Sequence, residues 1–100
     1  MARNYKLRQQ AKQDIKKIGR YTFKKYGKSK RDKYLRGLSK AFKSLAEMPY
    51  RGQLRDDIRK DYYSCQYKKH VIFYRIHTDY VEIVAVLHNK MLPENYLHTI

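Results

Sequence analysis

The stretch that decides the fold runs from His70 to His88 and reads HVIFYRIH (70–77), TD (78–79) and YVEIVAVLH (80–88). Two runs rich in β-branched and aromatic residues flank a polar dipeptide, which is typical of a β-hairpin. Thr78-Asp79 is a weaker turn pair than Asn-Gly because it has no glycine to relieve a positive φ. The connecting loop can therefore be one or two residues longer than the dipeptide.

Both faces of the first strand of this hairpin are largely apolar. Because side chains alternate along a strand, one face carries Ile72, Tyr74 and Ile76. The opposite face carries Val71, Phe73 and Arg75. We therefore expect the hairpin to lie at the centre of a sheet and to be covered on at least one side.

The chain before the hairpin predicts two helices that supply this cover. From about Gln10 to Tyr26 apolar residues recur at helical intervals of four, three, four and three. These positions are Ala11, Ile15, Ile18, Thr22 with Phe23, and Tyr26. Lysines and arginines occupy the other face, and Gly27 stands where a C-capping glycine belongs.

The second helix is predicted to open at Ser29-Lys30-Arg31-Asp32, which has the S-x-x-D form of a capping box. Its apolar positions are again at helical spacing: Tyr34 with Leu35, Leu38, Ala41 with Phe42, and Leu45. Met48-Pro49 ends the helix, since the residue before a proline avoids the α region. Gly27-Lys28 is so short a connection that the two helices must form an antiparallel hairpin.

Shorter segments complete the predicted fold. Tyr5 to Arg8 alternates apolar with basic residues, as an edge strand does, and Tyr62 to Tyr67 is a further strand joined to the central hairpin by Lys68-Lys69. Tyr50 to Lys60 shows neither helical nor strand periodicity, so we expect an ordered loop that can include one helical turn. The tail from Asn89 to Ile100 is expected to be a loop or short helix that folds back on the domain.

These elements predict an α+β fold with the order β-α-α-β-β-β. An antiparallel sheet of about four strands is covered by an N-terminal α-helical hairpin. One hundred residues make a single domain, 1–100, which buries roughly two-thirds of its unfolded surface.

The net charge is +15, from 24 Lys and Arg against 9 Asp and Glu. Residues 1–60 hold 20 of the basic and 5 of the acidic residues, a net of +15, whereas residues 61–100 hold 4 of each. This asymmetry indicates an acidic or polyanionic partner for the front of the chain. A solvated, lysine-rich helix surface that serves solubility is the simpler alternative.

Composition also bounds the compartment and the chemistry. Cys65 is the single cysteine, the N-terminus has no apolar signal region, and no stretch approaches 18 apolar residues, so we expect a cytoplasmic protein with no membrane contact. We expect neither a metal nor a cofactor. The four glycines are isolated, and the histidines His70, His77, His88 and His98 lack metal-ligand spacing.

Several short motifs match a known family in their joint order and spacing. They are Ala11, Asp14-Ile15, Ile18, Tyr21-Thr22, Tyr34, Leu38, Phe42, Leu45-Ala46, Pro49, Gly52, Ile58-Arg59, Tyr62, HVIFYRI (70–76), IVAVLH (83–88) and Met91. With the strand, basic helical hairpin and meander that carry them, the chain resembles the RelE/ParE superfamily of bacterial toxins from type II toxin–antitoxin modules. The resemblance spans residues 5 to 97 and is closer to the ParE branch.

The resemblance to the ParE branch implies a toxin that binds DNA gyrase, acts without a catalytic site and is neutralised by a ParD-like antitoxin. Candidates for the target-binding surface are Arg59, Lys60, Tyr62, Tyr63, Arg75, His88, Met91, Leu92, Tyr96 and Leu97. Tyrosine and arginine are typical anchors of such surfaces, although packing in the sheet better explains any one of Tyr62, Tyr74 and Tyr80 taken singly. The acidic antitoxin segment is expected to lie along the basic helices, at Lys16, Arg20, Lys24, Lys33, Arg36 and Lys40.

The alternative within the superfamily is a RelE-like endonuclease that cleaves messenger RNA on the ribosome. Such an enzyme needs cations to stabilise the charge of the transition state and an acid for the leaving oxygen. The candidates are Arg59, Lys68, Lys69, Arg75, His88 and Tyr96.

Two departures from the family pattern favour the gyrase-binding branch. The family often has Gly-Tyr-Arg where this chain has Asp61-Tyr62-Tyr63, and often has an arginine where this chain has Ala85. Both remove a cation that a ribonuclease would use. A third hypothesis, a basic module that binds nucleic acid through its helices, is weaker. The lysines surround the helices without a groove-reading set, so no direct sequence-specific nucleic-acid binding is expected.

Overall fold

The computed structural model describes residues 4–97. In chain order the strands and helices are β1 (Asn4–Leu7), α1 (Gln9–Tyr26), α2 (Lys28–Glu47), β2 (Gln53–Leu54), β3 (Tyr63–Tyr67), β4 (His70–Ile76) and β5 (Tyr80–His88). Short 3₁₀ turns at Pro49–Arg51 and Pro93–Asn95 follow α2 and β5. This order confirms the α+β class and the helical hairpin that precedes the meander.

The sheet has five strands in the order β1-β5-β4-β3-β2. The three pairs from β2 to β5 are antiparallel, whereas β1 runs parallel to β5, so the sheet is mixed. Parallel pairing needs a crossover connection, and the helical hairpin provides part of it. The sequence predicted an antiparallel sheet of about four strands. It missed β2, because two residues are too few to show a period.

The central hairpin is irregular at one point. Phe73 pairs with Ala85 but Tyr74 pairs with Ile83, so Val84 is the extra residue of a β-bulge. The bulge turns Val84 and Ala85 to the same side of the sheet. The loop that connects the strands spans residues 77–79, one residue longer than the dipeptide.

One face of the sheet packs against the helices and forms the main core. Ala11 and Ile18 of α1 and Leu38, Phe42 and Leu45 of α2 are buried against it. At the end of α1, however, Phe23 and Tyr26 are each 49% exposed. The apolar stripe predicted for α1 is therefore covered by the sheet only along its first three turns.

The junction between the helices differs from the predicted capping box. Gly27 has φ +94° and its N–H donates to the carbonyl of Phe23 at 2.8 Å, so it caps α1 as predicted. The next residue already begins α2, which has no side-chain cap. Ser29 thus lies inside the first turn, and Asp32 pairs with Arg31 at 3.0 Å instead of capping.

The second face of the sheet, called here the far face, is covered by irregular chain. Tyr62 and Leu97 are buried there against Phe73, with Ile58 and Met91 packed around them. The tail folds back as predicted, since Arg59 donates to the carbonyl of Leu97 at 2.8 Å. His98 and the end of the tail lie outside the described residues.

Candidate functional site

A groove of about 840 Å³ runs between the outer sides of α1 and α2. Its apolar lining comes from Ile15, Gly19, Phe23 and Leu35. The lining is completed by Lys16, Arg20, Tyr21, Lys24, Arg31 and Asp32. An apolar floor with a predominantly positive rim suits a partner helix or strand that carries both apolar and acidic residues.

The predicted antitoxin-binding cations divide between two places. Lys16, Arg20 and Lys24 line this groove, whereas Arg36 and Lys40 of α2 are exposed outside it. Lys33 lines a different cavity, at the end of the helical hairpin. The α1 half of the predicted set is therefore brought together, and the α2 half is not.

Sequence reasoning assigned Phe23 to the buried face of α1 and so missed the apolar part of the groove. Phe23 is exposed, and the guanidinium of Arg31 lies 5.0 Å from its ring centroid. The only signal in the sequence was the adjacent pair Thr22-Phe23, because neighbouring residues of a helix point in different directions and Thr22 alone could fill the inward position.

On the far face three arginines surround Tyr62. The guanidinium carbon of Arg75 lies 5.9 Å from the Tyr62 ring centroid, and Arg59 holds the tail through Leu97. Arg8 reaches the same region from the end of β1. Burial raises the pKa of Tyr62 above its ordinary value, although the three guanidinium groups oppose that shift.

One carboxylate balances part of this charge. Both Nε and Nη2 of Arg8 contact Oε2 of Glu82, at 2.7 and 2.6 Å, and His77 Nε2 lies 2.9 Å from Oε1. Burial of Glu82 opposes the effect, but the hydrogen bonds from His77 and Arg8 hold its pKa below the ordinary value. Arg8, His77 and Glu82 were absent from the predicted site, because Arg8 and Glu82 lie 74 positions apart and their pairing leaves no local signal in the sequence.

The Nε atom of Arg75 is buried and has no hydrogen-bond partner within residues 4–97. A buried guanidinium nitrogen without a partner is costly and is therefore uncommon in a folded protein. Arg75, predicted as a target-binding residue, thus has unused hydrogen-bonding capacity on the far face.

The other predicted target-binding residues do not form one continuous surface. Tyr62 and Leu97 are 3% and 2% exposed and belong to the core beneath the far face. Tyr63 points to the opposite side of the sheet and stacks on Tyr74, with ring centroids 5.6 Å apart. The accessible members are Arg59, Lys60, Leu92 and Tyr96, with Arg75, His88 and Met91 half-buried.

His88 lies at the open end of the β4–β5 hairpin, whereas Arg75 lies near its connecting loop. Its ring meets that of His70 edge to face at 5.5 Å, and His70 Nδ1 is hydrogen-bonded to the hydroxyl of Tyr34. Burial, reinforced by the neighbouring His88, lowers the pKa of His70 to about 4. His70 is therefore neutral at physiological pH.

The candidate ribonuclease residues separate into two groups. Arg59 and Arg75 lie beside Tyr62, while Lys68, Lys69 and His88 line the cavity at the other end of β4, and Tyr96 lines a neighbouring cavity that His88 also reaches. Five residues of strand separate His70, the partner of His88, from Arg75, which is roughly 17 Å at about 3.4 Å per residue. A single phosphate cannot contact both groups.

Within residues 4–97 no group of three or more histidine, cysteine, aspartate or glutamate side chains is placed to hold a metal ion. No helix in this part of the chain is long and apolar enough to cross a membrane.

Residues 5–93 match the family model described as "ParE toxin of type II toxin-antitoxin system, parDE". The chain belongs to the ParE toxin family. Toxin ParE1 of Caulobacter vibrioides is 36% identical over 93 residues, which is 93% of this chain and 96% of that protein. Toxin ParE1 of Mycobacterium tuberculosis is 30% identical over 92 residues, or 91% and 94% of the two chains.

Solved structures support the same fold. A chain from the chromosomal ParDE toxin–antitoxin system of P. aeruginosa superposes with a TM-score of 0.75 at 15% identity and covers 86% of this chain and 95% of its own. A chain from the RelBE2 toxin–antitoxin complex of M. tuberculosis gives 0.63 at 20% identity, with coverage of 88% and 99%. At identities of 15% and 20%, these superpositions show a shared fold alone.

Proposed function

We propose that this ParE-family chain inhibits growth by binding DNA gyrase through its far face, and that a cognate ParD-like antitoxin neutralises it. The observation that carries the gyrase proposal is the separation of the ribonuclease candidates into two groups roughly 17 Å apart. Arg75, with its unpartnered Nε, and the exposed Leu92 and Tyr96 offer contacts to a protein target without catalysis.

Induction of the chain in bacterial cells tests the target. Gyrase inhibition by this mode is expected to produce DNA breaks, filamentation and trapped gyrase–DNA cleavage complexes. Rapid arrest of translation with codon-phased cuts in messenger RNA would instead identify a RelE-like endonuclease and overturn the proposal.

Variants of the far face test the surface in a supercoiling assay with purified gyrase. Arg75→Ala, and alanine at both Leu92 and Tyr96, are expected to weaken inhibition about ten-fold or more, as loss of interface anchors does. Lys12→Ala removes an exposed cation on α1 and is expected to keep full potency. Full potency of both far-face variants, with thermal unfolding confirming that each is folded, would show that the target binds elsewhere.

The antitoxin proposal rests on the groove between α1 and α2. The family model and both solved structures belong to toxin–antitoxin systems, and the groove combines apolar floor with positive rim. An acidic, amphipathic antitoxin segment would bind there with a fast, salt-sensitive association rate.

Charge reversal on the two helices gives a matched test of this groove. Glutamate at Lys16, Arg20 and Lys24 changes the net charge as much as glutamate at Lys33, Arg36 and Lys40. Only the α1 set lines the groove, so its reversal is expected to slow association with the antitoxin much more. Equal effects, or association that is insensitive to salt, would contradict this placement.

A further inference from the structure

A second cavity, of about 460 Å³, lies at the end of the helical hairpin, beside the turn between β3 and β4. We call it the hairpin-end cavity. Five lysines line it, namely Lys25, Lys30, Lys33, Lys68 and Lys69, together with Tyr21, Tyr26 and Tyr34. His70 and His88 form its inner end.

The positive charge of this cavity has no acidic counterpart. No aspartate or glutamate is among its lining residues, and none of its five lysines forms an ion pair within residues 4–97. All five lysines are exposed. Five cations from three segments of chain therefore converge with no carboxylate to balance them.

Aromatic rings hold three of these lysines in place. Lys25 Nζ lies 5.5 Å and Lys30 Nζ 5.3 Å from the ring centroid of Tyr26. Lys68 Nζ, in the β3–β4 turn, lies 5.5 Å from the ring of Tyr34. These contacts orient the ammonium groups but do not neutralise them, because an aromatic ring carries no net charge.

The ligand chemistry follows from what this lining provides. Separate ammonium groups suit the several oxygens of a phosphate chain, since lysine binds phosphate as a point charge. Tyr21 and Tyr26 are exposed aromatic side chains on which a nucleobase can stack once the lysines over their rings turn to the phosphates, and an acidic peptide would not use the rings in the same way. A cavity of this volume is of the size that holds one nucleotide.

We infer that the hairpin-end cavity binds nucleotide phosphate, with phosphate oxygens on Lys25, Lys30 and Lys68 and a base against Tyr26. The ligand is either a free nucleoside triphosphate or one nucleotide of a single-stranded nucleic acid, bound without sequence preference. This inference goes beyond the proposed function and does not depend on it. The cavity lies at the opposite end of β4 from Arg75 and on the other side of the sheet from Tyr62.

Fluorescence anisotropy with the purified chain and a labelled short oligothymidylate tests the inference, with ATP and inorganic triphosphate as competitors. The double variant Lys30→Gln/Lys68→Gln is expected to lower affinity about ten-fold and to reduce the salt dependence of binding. The control Lys12→Gln/Lys43→Gln removes the same charge from exposed helix positions outside the cavity and is expected to change affinity less than two-fold, about the level of diffuse attraction.

A second variant separates stacking from charge. Tyr26→Leu is expected to weaken the oligonucleotide and ATP several-fold more than inorganic triphosphate, because only the first two have a base, whereas all three ligands lose the ring that orients Lys25 and Lys30. If ATP competes at about the same concentration as unlabelled oligonucleotide, counted per nucleotide, the ligand is a free nucleotide. If ATP competes much more weakly, the ligand is a nucleic-acid strand.

Three results would overturn the inference. The first is no binding of any of these probes at low salt. The second is an equal loss of affinity in the cavity and control double variants, which would show diffuse charge attraction. The third is an acidic peptide that binds as tightly as the oligonucleotide and is weakened by the same cavity variants, which would assign the cavity to a protein partner.

Discussion

The two faces of the sheet are covered in different ways. The helix-facing side packs against α1 and α2, continuous helices of 18 and 20 residues. The far face is covered by the loop that carries Ile58 and by the tail, whose single 3₁₀ turn has three residues. Irregular segments open at a lower free-energy cost than packed helices. The comparison indicates that one face supplies stability, while the other keeps charged groups near a surface that a partner can reach.

Truncation of one core residue on each face tests this comparison most strongly. Ile83→Ala removes a fully buried side chain under the helices and is expected to lower the free energy of unfolding by about 2–5 kcal/mol. Leu97→Ala is expected to cost about 1–2 kcal/mol, because the tail can detach locally without unfolding the sheet. Urea denaturation of both variants measures the difference, and equal losses would show that the tail is integral to the core.

Substitution of Gly52 tests how closely the chain packs at the edge of the helix-facing side. The hydroxyl of Tyr74 donates to the carbonyl of Pro49 at 2.6 Å and accepts from the N–H of Gly52 at 3.1 Å. A Cβ at position 52 would lie 2.1 Å from that hydroxyl and 2.8 Å from the carbonyl oxygen of Ser64. Gly52→Ala is therefore expected to destabilise the fold by about 1–3 kcal/mol in thermal or urea unfolding.

Gly19→Ala is the matched control for that substitution. Its nearest neighbour would be the Leu35 side chain at 3.4 Å, an ordinary contact with a group that can move. Alanine in a helix interior is favoured over glycine by up to about 1 kcal/mol. A gain or no change at position 19, beside a loss at position 52, is the expected pattern; similar losses would contradict the steric explanation.

Asp14 tests how α1 is held on the sheet. β1 pairs with β5 only as far as Ile83, and the N–H of Val86 beyond it donates instead to Asp14 Oδ2 at 3.0 Å. Asp14→Ala leaves that buried N–H without an acceptor and is expected to cost about 1–3 kcal/mol. Asp14→Asn keeps an acceptor oxygen, so urea denaturation should show a smaller loss; equal losses would argue against the hydrogen bond as the cause.

The smallest expected effect concerns the pH dependence of the far face. The pKa of Glu82 is lower in the folded chain than the ordinary value, so its ion pairs stabilise the fold above about pH 4.3 and that contribution is lost as the pH falls through the folded pKa. Glu82→Gln should therefore destabilise at neutral pH, with a difference from the parent chain that shrinks on acidification.

Glu47→Gln serves as the control for that pH series. Glu47 is exposed and forms no ion pair with any other described residue. Its substitution is expected to leave stability nearly unchanged at both ends of the pH series. A loss at Glu82 that does not vary with pH would show that the side chain acts through packing and not through its charge.

The sequence by itself determined the elements whose pattern repeats locally. Helical spacing from Gln10 to Tyr26 and again to Leu45, the C-capping glycine, and the alternation from His70 to Ile76 each depend on neighbours within a turn or a pleat. These local rules also predicted the helical hairpin and the meander. The resemblance to the ParE family rested on the order and spacing of motifs within the same elements.

Only the tertiary structure decided which side chains meet. It placed Tyr62 and Tyr63 on opposite faces, exposed Phe23, paired β1 with β5 in parallel and joined Arg8 to Glu82 across 74 positions. It also separated Arg75 from His88, although both residues had been predicted to lie on one target-binding surface. Such contacts depend on strand pairing, on the bulge at Val84 and on how far each helix extends past the sheet. None of these features produces a periodic pattern in the sequence.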